Sequence, residues 1–129
     1  MITVCLATKF KDYLSEGGIG FLVYSGNVII YEFSELVYDI PNERNLFYTA
    51  ILYIQRAMEQ LNITEFEIVS SNSDEVNRYN LETDAEEELF KEIKKFQHPF
   101  KVKTILLNEN IYAIYLSLRA FKLVTDVQE

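Results

Sequence analysis

The chain reads as an α/β domain built on one mixed five-stranded sheet, three antiparallel strands and then two parallel ones, flanked by helices. Three observations predict this. Three β-rich runs precede the first helix. Two of those runs are joined by a tight glycine turn. Two later apolar runs alternate with helical patterns, the order that produces parallel crossovers in a sheet covered by helices. One domain suits 129 residues, with 1–124 as its body and 125–129 as a C-terminal tail.

Ile2 to Leu6 forms the first strand. All four glycines then fall between Gly17 and Gly26. Ile19–Tyr24 and Val28–Phe33 are β-rich, and Ser25-Gly26-Asn27 between them supplies the positive φ of a hairpin. The Gly17-Gly18-Ile19-Gly20 cluster marks a bend or a close backbone approach. It is not a phosphate loop, because no helix and no Lys-Ser/Thr pair follow it. Glu35–Ile40 is a connector closed by Pro41. A helix runs from about Asn42 to Leu61, with Leu46, Phe47, Ala50, Ile51, Ile54, Met58 and Leu61 at helical spacing. Leu52, Tyr53 and Ala57 widen that face, so the helix is covered on more than one side. Phe66–Val69 is a short strand, and Ser71-Asn72-Ser73 caps a helix through about Tyr79. Thr83-Asp84-Ala85-Glu86 has the form of a capping box ahead of Leu89, Phe90, Ile93 and Phe96. Its acidic residues suit a solvated helix N-terminus better than a metal site. His98-Pro99 ends that helix, Lys101–Leu107 alternates as a strand, and Asn108 caps a final helix through about Leu123.

Composition removes several classes of function. No apolar run reaches the ~20 residues of a membrane helix, and the apolar start, Met1 to Leu6, is too short for a signal peptide. The single cysteine, Cys5, lies in a strand and reads as a small core residue. A reducing, cytoplasmic compartment is the expectation. Twenty acidic residues against 12 basic ones leave a net charge of −8. A surface that binds phosphates needs clustered cations. The one local candidate is Lys91, Lys94, Lys95, Lys101 and Lys103, which reads as solvated faces near a helix C-terminus.

Four motifs, in order, resemble those of the ribonuclease H family. Gly17-Gly18-Ile19-Gly20 opens the second strand about ten residues after Ala7, where the family's first strand carries a catalytic Asp. Asn45-Leu46-Phe47-Tyr48-Thr49-Ala50-Ile51 is similar to the start of the family's long helix, with Tyr48 (or, shifted by one, Phe47) at the Glu position. Ser71-Asn72-Ser73-Asp74-Glu75-Val76 resembles its Asp-Ser-x-x-Val, with Asn72 for Asp. Asn110-Ile111-Tyr112-Ala113-Ile114-Tyr115-Leu116 resembles its Asn-x-x-Ala-Asp-x-Leu, with Ile114 for Asp. The resemblance spans nearly the whole chain. Leu107 runs almost directly into Asn108, so the His-bearing loop that family members often carry there is missing. The lone His98 lies before the strand and reads as a helix-end residue.

The resemblance implies two-metal phosphodiester hydrolysis, in which two cations about 4 Å apart clamp the attacking and leaving oxygens. Magnesium needs hard oxygen ligands, mostly carboxylates. Ala7 and Ile114 carry no donor, Tyr48 offers a neutral phenol, and Asn72 keeps one neutral carbonyl. The expectation is a catalytically inactive member with no cofactor and a cleft plugged by apolar and aromatic side chains. Asp12, Asp74, Glu75 and Glu109 are the carboxylates that could rebuild a site elsewhere. Asp74 and Glu75 are expected to turn away from the cleft. The expected role is a protein-binding or scaffolding module, with Tyr48, Ile114, Tyr112 and Tyr115 as contact surface and self-association included. The alternatives are a non-cleaving nucleic-acid binder using aromatic stacking and the lysine cluster, a nuclease with relocated ligands, and an unrelated α/β domain in which the missing carboxylates mean nothing.

Overall fold

The computed structural model describes residues 1–127, with side chains described through Phe121. Five strands form one sheet: β1 (Ile2–Lys11), β2 (Glu16–Ser25), β3 (Val28–Val37), β4 (Glu67–Ser70) and β5 (Lys101–Thr104). Their spatial order is β3-β2-β1-β4-β5. β1 pairs antiparallel with β2, and β2 with β3, while β4 and β5 add in parallel to β1. The helices are α1 (Glu43–Gln60), α2 (Ser73–Asn80), α3 (Glu88–Lys94) and α4 (Ile111–Val127).

The first three strands are longer than their apolar runs. β1 continues four residues past Ala7 to Lys11, because β2 supplies partners all the way to the Lys11–Glu16 pair. Likewise Glu35–Val37 belongs to β3 rather than to a connector, paired with the glycines of β2. Ser25 pairs with Val28 across the Gly26-Asn27 turn, and Gly26 takes φ 61°. A bulge interrupts the β2–β3 register at Val23/Tyr24.

Strand alternation divides the interior in two. Val4, Leu6, Ile19, Phe21 and Val23 join the large core with α1. Ala7 and Leu22 face the other way, in a small cluster with Ala113 and Leu116 of α4. α4 reaches this closeness because β2 has no Cβ in the way. A Cβ on Gly18 would lie 2.1 Å from the Ser117 carbonyl oxygen, and one on Gly20 would lie 2.4 Å from the Ser117 nitrogen.

Further boundaries differ from the sequence reading. α3 begins at Glu88 without a side-chain cap, so Thr83–Glu86 is not its capping box. β5 ends at Thr104, and a single 3-10 turn over Leu107–Glu109 leads to Asn110 and α4, so Asn108 is not the cap. α4 runs to Val127, which makes helix of the first part of the expected tail; residues 128 and 129 lie outside the described residues.

Candidate functional site

The parallel strands β1 and β4 end side by side, with Leu6 paired to Ser70. Beyond them the chain turns into α2, and Asn72 is the N-cap: its side-chain oxygen accepts from the Glu75 N–H at 3.3 Å. Its amide nitrogen donates to the Glu43 carboxylate of α1, also at 3.3 Å. α4 begins at the same place. Asn110 is buried there, and its Nδ2 donates to the Leu6 carbonyl at 2.9 Å and to the Ser71 hydroxyl at 3.2 Å. One side chain thus clasps the ends of both strands to the start of α4. Ile114 follows one turn later and packs on the Ala7 cluster.

Ala7, Asn72 and Ile114 are therefore gathered around one corner of the sheet. Tyr48 is not. It and Phe47 are fully buried in the α1-side core, while Ala7 belongs to the α4-side cluster, so the sheet separates them. The α1 residue that reaches Asn72 is Glu43. Tyr112 and Tyr115 lie on the exposed side of α4, 6.4 Å apart between ring centres. The expected plug of Tyr48 with Ile114, Tyr112 and Tyr115 is thus not one assembly. Helical spacing placed Tyr48 on α1; it could not say which neighbouring element its ring meets.

Tyr48 instead anchors a polar network that the sequence reading missed. Its hydroxyl donates to Asp84 at 2.8 Å. The other Asp84 oxygen lies 3.5 Å from both Arg44 and Arg78. Arg44 also holds Glu87 at 3.0 Å, and Arg78 lies 3.6 Å from Glu75. Tyr79 and Phe90 pack edge-on or tilted against the Tyr48 ring and each other. Burial, reinforced by the bond to Asp84, pushes the Tyr48 phenol far above its ordinary value. Burial also pushes the Glu75 carboxyl up, against the pull of Arg78. Glu75 is buried beside Arg78, while Asp74 stays exposed. The signal that pointed elsewhere was the capping-box pattern at Thr83–Glu86, which assigned Asp84 to its own helix rather than to Tyr48.

The remaining candidates are dispersed. Asp12 is exposed in the β1–β2 connection, and the Glu109 carboxylate accepts from the Leu106 N–H at 3.3 Å. His98 packs edge-on to Phe96 beyond α3. The lysine cluster is matched by acid: Lys91 with Glu86, Lys94 with Glu82, Lys95 with Glu92 and Lys103 with Glu67. Lys94 also lies over the rings of Tyr79 and Phe90. Lys101 is exposed on the sheet edge.

Solved structures provide the comparison. A ribonuclease H1 isolated from compost by a metagenomic approach, LC11-RNase H1, superposes with a TM-score of 0.79 at 16% identity, covering 96% of this chain and 97% of that one. Ribonuclease H1 from the halophilic archaeon Halobacterium salinarum NRC-1 gives 0.75 at 12% identity, covering 94% and 97%. The chain has the ribonuclease H fold. LC11-RNase H1 in complex with an RNA/DNA hybrid gives 0.71 at 17% identity, covering 97% and 99%. No protein-family model and no curated protein sequence matches.

The ribonuclease H fold brings with it the question of a metal pair. The side chains at this corner do not fit one. Ala7 and Ile114 have no ligand atom, the one Asn72 carbonyl is engaged with the Glu75 N–H, and the Glu43 carboxylate that reaches the corner accepts from the Asn72 amide. Among the described residues, no group of three or more His, Cys, Asp or Glu is placed to hold a metal ion. No helix among the described residues is long and apolar enough to cross a membrane.

Proposed function

We propose that this chain is a ribonuclease H-like domain without nuclease activity that serves as a protein-binding or scaffolding module. The observation that carries the reading is the corner formed by Ala7, Asn72, Asn110 and Ile114. None of these four carries a carboxylate, the Glu43 carboxylate that reaches Asn72 is held by its amide, and Asn110 ties that junction shut through Leu6 and Ser71. A two-metal reaction relies on several anionic oxygens to hold its cations. A hydrophobic and aromatic exterior on α4, immediately beside that corner, suits contact with another protein.

The test is a cleavage assay on an RNA–DNA hybrid with Mg²⁺ and with Mn²⁺. No metal-dependent product is expected at any metal concentration. Cleavage that vanishes in Asp74→Ala or Glu75→Gln would replace this reading by one with relocated ligands, for which Glu43, Asp74 and Glu75 line a hollow of about 590 Å³ beside Asn72. Arg78 lines the same hollow and occupies Glu75, which opposes cation binding there.

Non-cleaving nucleic-acid binding is the second reading, because LC11-RNase H1, a neighbour in fold, is seen with an RNA/DNA hybrid. The ion-paired lysines weaken it here, since each cation already spends its field on a carboxylate.

A further inference from the structure

We propose that the chain forms a two-fold homodimer through the outer face of α4. Ile111, Tyr115 and Leu118 recur at i, i+4 and i+7, with Tyr112 beside them, and they are 62, 52, 44 and 42% exposed for Ile111, Tyr115, Leu118 and Tyr112. Leu106 and Leu107, 67 and 68% exposed, extend the patch from the turn ahead of the helix. Stripes at this spacing are the ridges by which helices pack on one another. The opposite face of α4 is already used, with Ala113, Leu116 and Ala120 buried against the sheet.

Two features select a second copy as the occupant. The first is area. These six residues together expose on the order of 700 Å², polar atoms included, close to the ~800 Å² each partner gives a standard interface. The second is charge. The chain carries −8 overall, yet residues 105–121 hold one acid, Glu109, and one base, Arg119, and β3 adds Glu32, whose carboxylate is engaged by the Tyr112 hydroxyl. A basic partner would be drawn to the acid-rich remainder of the surface. Two equally negative copies meet with least repulsion through a face that carries few charges, and α4 presents it. An antiparallel pair about a two-fold axis makes the patch its own complement. Tyr115, near its middle, then faces the axis, and Ile111 lies toward the partner's Leu118.

The inference rests on the protein-binding reading and names the partner. It fails separately from that reading, because dimerisation is measured without nuclease assay. Light scattering on the full chain across a concentration series is expected to give twice the 15.1 kDa chain mass. Added salt should tighten the dimer, since it screens the repulsion between like-charged copies. Tyr115→Glu, and independently Leu118→Arg, should raise the dissociation constant at least tenfold while leaving the circular dichroism spectrum unchanged, and should leave the melting temperature unchanged when it is compared at a concentration where the wild type is monomeric. Tyr13→Glu, a change in a 76% exposed aromatic of the β1–β2 connection, should leave the dimer intact. A monomer at every concentration, or a dimer that survives both α4 variants, would overturn the proposal. A monomer that still shows no hybrid cleavage would remove the dimer alone and hand this face to a different protein.

Discussion

Tyr48 shows how much one side chain's surroundings can change its meaning. Its hydroxyl satisfies a buried Asp84 that two arginines share. Removing a partner from a buried polar group costs more than the bond itself is worth. Tyr48→Phe is therefore expected to lose about 1–3 kcal/mol, read from urea unfolding. Glu75 makes the complementary case. Its carboxyl is raised by burial, so the folded state holds its proton more tightly than the unfolded chain does. The resulting contribution is fully present below the ordinary glutamate value, near pH ~4, and is lost as pH rises through the higher folded value. Glu75→Gln should thus melt above the wild type at pH 7, with the gap closing as the buffer is taken below pH ~4. Thermal melts at the two pH values decide it. Neither role was legible beforehand. Asp84 reads as part of a capping-box pattern and Glu75 as an acid turned away from the cleft, because both readings follow from near neighbours in the chain.

Among the elements, the junction of β2 with α4 is where pattern and structure agree most closely. The Gly17–Gly20 cluster pointed to a bend or a close approach, and α4 is what approaches Gly18 and Gly20, while Leu46 of α1 lies against Gly17. Gly20→Ala would press a Cβ to 2.4 Å from the Ser117 nitrogen and 2.6 Å from the Ala113 carbonyl oxygen. Backbone cannot yield as a side-chain tip does, so a loss of at least ~3 kcal/mol is expected. Gly26→Ala, in open space but at φ 61°, should lose only about 1 kcal/mol. Comparing the two melting temperatures separates steric contact from backbone strain. The central helix was equally readable; its cap, the Asn42 side-chain oxygen accepting from Asn45 at 2.8 Å, is a finding of the structure. Strand ends were not. β1, β2 and β3 run beyond their apolar cores because ladder pairing continues through Lys9, Lys11 and Glu35, whose own side chains give no β signal.

For the molecule as a whole, charge and fold pull in different directions. LC11-RNase H1, which shares the fold, is seen with an RNA/DNA hybrid. The net charge of −8 and the acid-matched lysines oppose it. Fluorescence anisotropy with a labelled RNA–DNA hybrid at low salt is expected to show no saturable binding. A binding curve that weakens steeply with salt would reveal phosphate contacts and favour the nucleic-acid reading.

The amino-acid order alone determined the sheet, the helices and the absence of carboxylates at positions 7, 72 and 114. These depend on local periodicity, turn chemistry and residue identity, all of which are written along the chain. Only the tertiary structure decided that Tyr48 lies across the sheet from Ala7, that Glu43 meets Asn72, and that Asn110 clasps Leu6 to Ser71. Those pairings join residues 29 to 104 positions apart. Which of them meet depends on the face each strand turns toward its helix, a choice that packing makes.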